Sequence, residues 1–215
     1  MAKIVVLDVD GTLMDTNYLH TEAWARAFGE VGSRVPREKI HKQIGKGSDQ
    51  LIGEFVEDGD SAEKVNELHG EIYAELQPYS YPLPGGKELI ASLHEKGYGV
   101  WFVTSAKPEE LKQYLDQLET EGKLAGIVSS GDVGSSKPAP DIFEEALRQA
   151  DVAPEDAVSV GDAVWDVEAA MKAGVKTVAV LTGGAYTAEE LKEAGAVEVY
   201  EDCGALLEAG FPDNF

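Results

Sequence analysis

Apolar residues fall along this chain in short runs separated by longer amphipathic stretches. "KIVVL" (3–7) is nearly continuous, the pattern of a strand covered on both faces in a parallel sheet. "GVWFVT" (99–104), "GIVSS" (126–130), "AVSVGD" (157–162) and "KTVAVLTG" (176–183) share that character, and "VEVY" (197–200) is a weaker case. Between them lie "PEELKQYLDQLETEG", "APDIFEEALRQA", "VWDVEAAMKAG" and "TAEELKEAG", most with Pro or Thr early and Gly at the end, as helices have. Strand and helix in alternation predict an α/β fold, a parallel sheet with helices on both faces. In such sheets the ligand site lies at the carboxyl ends of the strands.

Residues 16–82 break the alternation. "LHTEAWARAFGEVG", "REKIHKQIGKGSDQLIGEFVED" and "SAEKVNELHGEIYAELQPY" read as helical, with no strand among them, and the segment closes at the proline- and glycine-rich "YSYPLPGG". This predicts a small helical insertion after the first strand, a cap seated over the site. The apolar positions Leu51, Ile52, Phe55 and Val56 read as ordinary helix packing.

The strand ends carry unusual chemistry. The first runs into Asp8 and Asp10, whose spacing of two aims both carboxylates to one side. Like charges held together there destabilise each other unless a cation is shared; the plain alternative is a loop of solvated acids with Asp15 or Thr16 capping a helix. The second strand ends in Thr104 and Ser105, which suit either a helix cap or a phosphate. Lys137 in "SSKPAPDIF" is a solvated turn lysine or a buried cation. Asp162 and Asp166 straddle a strand–helix junction and fit a cap or a metal; carboxylate oxygens are what Mg²⁺ takes.

Composition narrows the partners. The chain has 215 residues, 43% of them hydrophobic, enough for one domain with an insertion. A formal charge of −22 argues against nucleic acid or an anionic membrane as partner, and requires a local cation at any phosphate site. Acid within the first eight residues argues against a signal peptide or membrane anchor, and the single cysteine, Cys203, excludes an intramolecular disulfide; both point to the cytoplasm.

Taken together, "DVDGT", the threonine closing "WFVT", the lysine of "SSKPAPD" and "GDAVWD" resemble, in order, the four motifs of the haloacid dehalogenase-like superfamily of aspartate-nucleophile phosphohydrolases. The resemblance covers nearly the whole chain, and the helical insertion sits where that family carries a cap. It implies a Rossmann-like core of about five or six parallel strands formed by 1–15 and 83–215, with 16–82 as the cap. It implies Mg²⁺ as cofactor and a small-molecule phosphate ester as substrate. Asp8 would be the nucleophile that becomes an aspartyl phosphate, and Asp10 the acid–base, its protonated form promoted by the neighbouring carboxylate. Thr104 would hydrogen-bond the transferring phosphoryl group and Lys137 would neutralise charge on it. Asp8, the Asp10 backbone carbonyl and Asp162 would hold the metal, with Asp166 orienting Lys137 or a metal-bound water.

Within the superfamily, Asp10 implies a phosphate ester, because relatives that cleave carbon–halogen or carbon–phosphorus bonds lack that acid. "DTNYLHTEAW", with His20 and Trp24, and Lys107 further on, resemble beta-phosphoglucomutases. Asp49, however, stands where the mutase pattern has an arginine for a second phosphate. The expectation is therefore a phosphatase of the phosphoglycolate phosphatase type, with a sugar phosphomutase as the alternative and a non-catalytic phosphate-binding protein as a third reading. His20 reads as a substrate or Asp10 contact or as a histidine of the inner cap face, and Trp24 as cap core. Ser105 and Lys46 are further substrate-contact candidates, Lys46 equally a solvated turn residue. "TGGAY" (182–186) reads as a flexible glycine turn. The cap is expected to hinge near 15–17 and 81–84.

Overall fold

The computed structural model describes residues 3–213. Six parallel strands form one sheet: β1 (Ile4–Leu7), β2 (Gly99–Thr104), β3 (Leu124–Ser129), β4 (Ala157–Gly161), β5 (Lys176–Val180) and β6 (Glu198–Tyr200). Their order is β3-β2-β1-β4-β5-β6. β1 is central, Leu7 pairing with Phe102 on one side and Val160 on the other. The chain runs outward from β1 in one direction through β2 and β3, then returns to its other side with β4. That reversal opens a crevice at the carboxyl ends of β1, β2 and β4.

Ten α-helices lie among the described residues: α1 (Asn17–Glu30), α2 (Arg37–His41), α3 (Ser48–Leu51), α4 (Gly59–Leu76), α5 (Gly86–Glu95), α6 (Pro108–Gln117), α7 (Asp141–Ala150), α8 (Val164–Lys172), α9 (Ala188–Ala194) and α10 (Cys203–Glu208). Alternate residues of β1 face opposite layers, which is why its apolar run is continuous. Val5 and Leu7 pack with Phe102 and Val160 under α5, α6 and α10, whereas Ile4 and Val6 pack with Trp101 and Val103 under α7 and α8. No helix among the described residues is long and apolar enough to cross a membrane.

The helices α1 to α4 have an apolar cluster of their own, built on Trp24, Phe28, Ile40, Leu51, Ile52 and Val65. The two chain crossings that join this insertion to the sheet lie side by side. The Asp15 amide donates to the Tyr81 carbonyl at 2.9 Å and the Leu83 amide to the Leu13 carbonyl at 2.8 Å. One expected helical stretch is broken: α2 has five residues and α3 four, separated by a turn in which Gly45 adopts φ +99°. That left-handed conformation suits glycine and carries the turn between the two helices. The strand expected over 176–183 stops at Val180, and α5 and α10 are helices that the pattern reading did not single out.

Tyr73 of α4 and Tyr114 of α6, both fully buried, join insertion and core through a hydroxyl–hydroxyl hydrogen bond. Tyr73→Phe should leave the Tyr114 hydroxyl unpaired and lower stability by about 1–3 kcal/mol. The double variant with Tyr114→Phe should recover most of that loss. Urea midpoints at constant slope measure both; a double variant no better than the single would show that the hydroxyl pair is not what couples the two layers.

Candidate active site

β1 delivers the chain to the crevice and Gly11 turns it back. At Gly11, φ is +79°, and a Cβ there would lie 2.2 Å from Asn17 Nδ2 and 2.6 Å from Asp162 Oδ2. Only glycine fits that close approach. The turn is closed by Leu13 and Met14 amides that both donate to the Val9 carbonyl. Asp8 is thereby buried at the floor of the crevice, 4% exposed, with Asp162 (4%), Asp166 (1%) and Lys137 (1%) around it.

Lys137 Nζ lies 2.6 Å from Asp8 Oδ1 and 2.7 Å from Asp166 Oδ1. Burial alone would lower the ammonium's pKa, but the Asp166 and Asp8 carboxylates outweigh it and raise it. The solvated-turn reading of Lys137 is therefore excluded. Asp166 also accepts from the Ala163 amide at 3.1 Å, so its two oxygens are engaged in holding Lys137 and the start of α8. The Thr12 hydroxyl lies 3.1 Å from both Asp8 Oδ2 and Asp162 Oδ1, and Asn17 Nδ2 donates to Asp162 Oδ2 at 3.0 Å. Burial, and then the Asp166 charge, push the Asp8 carboxyl up to about 7. Burial, followed by Asp166 and Asp8, likewise raises Asp162 well above the carboxylate range.

Three carboxylates against one ammonium make an acceptor-rich centre. Oxygens of Asp8, Asp162 and Asp166 lie within 4.8 Å of one another. Asn17 Oδ1 is buried nearby with no hydrogen-bond partner among the described residues. A Cβ on Gly183 would sit 1.7 Å from Asp162 Oδ2, so the backbone closes tightly on that carboxylate. This donor set fits a small oxygen-seeking divalent cation such as Mg²⁺.

Asp10 faces away from that centre. Its Oδ1 accepts from the Thr16 hydroxyl at 2.8 Å and faces His20 Nε2 at 3.3 Å; its Oδ2 accepts from the Thr104 hydroxyl at 3.2 Å. Burial alone would raise its pKa, but the hydrogen bonds from His20, Thr16 and Thr104 overcome burial and lower it. The expectation that the neighbouring carboxylate favours the protonated form of Asp10 is thus reversed: the raised member of the pair is Asp8. Thr16 opens α1 without capping it by its side chain, because its hydroxyl goes to Asp10. Thr104 accepts from the Ala106 amide at 3.0 Å while donating to Asp10; it does not cap α6, whose first turn is preceded by Lys107. His20 continues inward, Nδ1 lying 3.2 Å from His69 Nε2 and its ring stacked on Tyr73. Burial, then the charges of His20 and Lys107, lower the His69 pKa well below the usual value.

A cleft between insertion and sheet opens on these groups. Asp8, Asp10, His20, Trp24, Lys46, Ser105 and Lys107 all line it. Trp24 is both part of the insertion's apolar cluster and stacked on His69. The Ser105 hydroxyl is buried without a partner among the described residues. Lys46 is neither a solvated turn residue nor free: Nζ pairs with Glu54 at 2.8 Å and lies 4.1 Å from the Trp165 ring centroid. Asp49 bonds to Ser136, next to Lys137, and so ties insertion to core. The "TGGAY" turn is held rather than flexible. Thr182 Oγ1 donates to the Gly11 carbonyl at 2.6 Å, and the Gly183 carbonyl accepts from Asn17 at 3.3 Å and His41 at 2.9 Å. The residues that sequence reasoning missed are Thr12, Asn17, Asn66, His69 and Glu110. Thr12 had a signal, standing inside "DVDGT"; the others are common polar residues on helices whose inward direction only the fold reveals.

The family model described as haloacid dehalogenase-like hydrolase matches residues 5–180. A phosphorylated carbohydrates phosphatase of Thermotoga maritima is 29% identical over 203 residues, 91% of this chain and 92% of that protein. A phosphoglycolate phosphatase of Aquifex aeolicus is 29% identical over 182 residues, 84% of this chain and 85% of that one. Among solved structures, a hydrolase from Pseudomonas syringae superimposes with a TM-score of 0.90 at 31% identity, over 96% of this chain and 97% of that chain.

The crowding of three buried acids around one lysine should make Asp8 a burden to the metal-free fold. In chelator, Asp8→Asn should raise stability by about 1–2 kcal/mol, or several degrees in melting temperature for a chain of this length. A lowered melting temperature would show that the Asp8–Lys137 bond outweighs the repulsion.

Proposed function

The chain belongs to the haloacid dehalogenase-like hydrolases, and from that membership we propose that it is a Mg²⁺-dependent phosphomonoesterase acting on a small phosphorylated metabolite. The observation that carries this reading is the buried Asp8 at the cleft floor, charge-paired with Lys137 and one turn of chain from Asp10. Asp8, Asp162 and the Asp10 backbone carbonyl would hold the metal, which, when bound, supplies Lewis-acid neutralisation of phosphoryl charge.

In the first step an Asp8 oxygen attacks phosphorus and the ester P–O bond breaks. The leaving oxygen takes a proton from the Asp10–His20 pair, whose facing atoms lie 3.3 Å apart. In the second step Asp10 removes a proton from water, the water oxygen attacks phosphorus, and the bond to Asp8 breaks to release inorganic phosphate. Lys137 neutralises charge throughout, and Thr104 positions Asp10 and the phosphoryl group. Asp166 keeps Lys137 in place. Ser105, with its unpartnered hydroxyl at the cleft, offers a further contact to the phosphoryl oxygens.

A phosphatase is favoured over a phosphomutase because Asp49, at the position of the mutase arginine, is an acid already bonded to Ser136. The two curated relatives bear different leaving groups in their names, a carbohydrate and glycolate. We assign residues 16–82 as a cap that opens and closes about 15–17 and 81–84, and 1–15 with 83–215 as the core. The acidic surface, with its formal charge of −22, fits a small-molecule substrate rather than nucleic acid or a membrane, and cytoplasmic residence.

Purified protein should release inorganic phosphate from an aryl phosphate with Mg²⁺, lose that release in chelator, and lose it by about 10³-fold or more in Asp8→Asn. Equal turnover by wild type and variant would rule out Asp8 as the nucleophile. In solution scattering, adding Mg²⁺ and a phosphate analogue should contract the particle; superimposable profiles would count against a hinged cap.

A further inference from the structure

The hydrogen-bond chain that starts at Asp10 does not end at His20. His69, on α4, is 6% exposed and lines the cleft, and the proposed reaction gives it no part. Its ring is stacked on Trp24 with centroids 3.6 Å apart, and its Nε2 lies 3.2 Å from His20 Nδ1. His20 is thereby held on three sides. His69 meets its Nδ1, Asp10 Oδ1 meets its Nε2 at 3.3 Å, and the Tyr73 ring lies parallel to it within 5° at 3.7 Å. Stacking on a tryptophan is ordinary packing for a buried histidine. A ring nitrogen aimed at a second ring nitrogen is a polar contact that packing does not require.

Two facing imidazole nitrogens bond only if one carries a hydrogen and the other a lone pair. Were His69 the donor, His20 Nδ1 would have to stay bare, and His20 could not carry hydrogens on both nitrogens without breaking the contact. With His69 as acceptor, His20 keeps its hydrogen on Nδ1 whether or not Nε2 bears one. The proton on the line between Nε2 and Asp10 Oδ1 can then be given up and regained while the ring stays where it is. Burial, and then the charges of His20 and Lys107, hold the His69 pKa well below its ordinary value, which keeps a lone pair on the ring.

We propose that His69 is a positioning residue for the acid–base pair: its Nε2 accepts from His20 Nδ1 and so keeps His20 Nε2 on Asp10 while the leaving alcohol is protonated. The inference rests on the phosphomonoesterase reading above and adds to it the residue that aims the proton. The role has a signature that packing alone lacks. An alkoxide departs only with a proton, whereas 4-nitrophenolate leaves without one, so losing the aim costs the first kind of ester and spares the second.

The test is kcat/KM with Mg²⁺, a quantity that covers the steps up to departure of the alcohol. It is measured for 4-nitrophenyl phosphate and for the best of three alkyl esters: benzyl phosphate, glycerol 3-phosphate and glucose 6-phosphate. His69→Phe keeps a ring on Trp24 and removes the nitrogen. It should lower kcat/KM for the alkyl ester by about 30-fold and for the nitrophenyl ester by less than about threefold. His69→Gln, which returns an acceptor oxygen at similar reach, should recover most of the alkyl activity. If thermal melting shows that His69→Phe does not fold, His69→Met takes its place. Equal losses on the two esters, no loss on either, or a glutamine variant as slow as the phenylalanine one on the alkyl ester overturns the inference. A wild type that cleaves the nitrophenyl ester but no alkyl ester has no aimed acid and overturns it as well. In each of these cases the phosphomonoesterase reading stands; no release from any ester by the wild type overturns that reading and the inference with it.

Discussion

Everything at the carboxyl edge of the sheet is organised around one buried ammonium. Lys137 reaches Asp8 at the end of β1 and Asp166 at the start of α8, joining positions 129 and 29 residues away in the chain. A buried carboxylate is stable only when paired, and here three of them converge. Removing the lysine would leave unpaired charge, and moving it would break two bonds at once. The strands on either side of the crevice are therefore held in register by electrostatics at their ends as well as by apolar packing between them. A single acid could have been accommodated by taking a proton; three acids around one base make position itself the constraint.

The docking of the helical insertion is tied to the same centre through backbone oxygens. The Gly183 carbonyl accepts from His41 of α2 and from Asn17 of α1, and Asn17 in turn holds Asp162. Lys42 adds an ion pair to Glu190 and offers its carbonyl to Trp165. The seating of the insertion and the aim of Asp162 thus share one acceptor. Tyr73, packed on His20 and bonded to Tyr114, makes the equivalent link on the β2 side, where Asp10 sits.

Much of this architecture was legible in the chain because its signals are periodic or positional. Continuous apolar runs marked every strand of the sheet, and acids at strand ends marked Asp8, Asp10, Asp162 and Asp166. What stayed hidden depends on distant neighbours. Glu110 and Asn66 sit on amphipathic helices where an acid or amide normally meets water. Only the meeting of α4 with α6 turns them inward. The lowered pKa of Asp10 was equally out of reach, because its hydrogen-bond donors come from Thr16, His20 and Thr104, on three different elements. The break in the helical stretch expected over 37–58 is not legible in the sequence because glycines within a polar stretch leave open whether a turn or a helix carries them; Gly45 adopts a left-handed backbone in the turn that interrupts it.

The central strand has a further consequence for the chain before it folds. Ile4–Leu7, covered on both faces in the native sheet, is the kind of β-branched, uncharged run that associates with its own kind when exposed. It is bounded by Lys3 on one side and Asp8 and Asp10 on the other. Charges flanking such a run act as gatekeepers, opposing the stacking of strands from different molecules. Asp8, one of the acids that crowd the folded crevice, therefore also shields the nascent strand until β2 and β4 arrive to cover its edges. Its charge is a liability in the finished fold and a safeguard on the way to it.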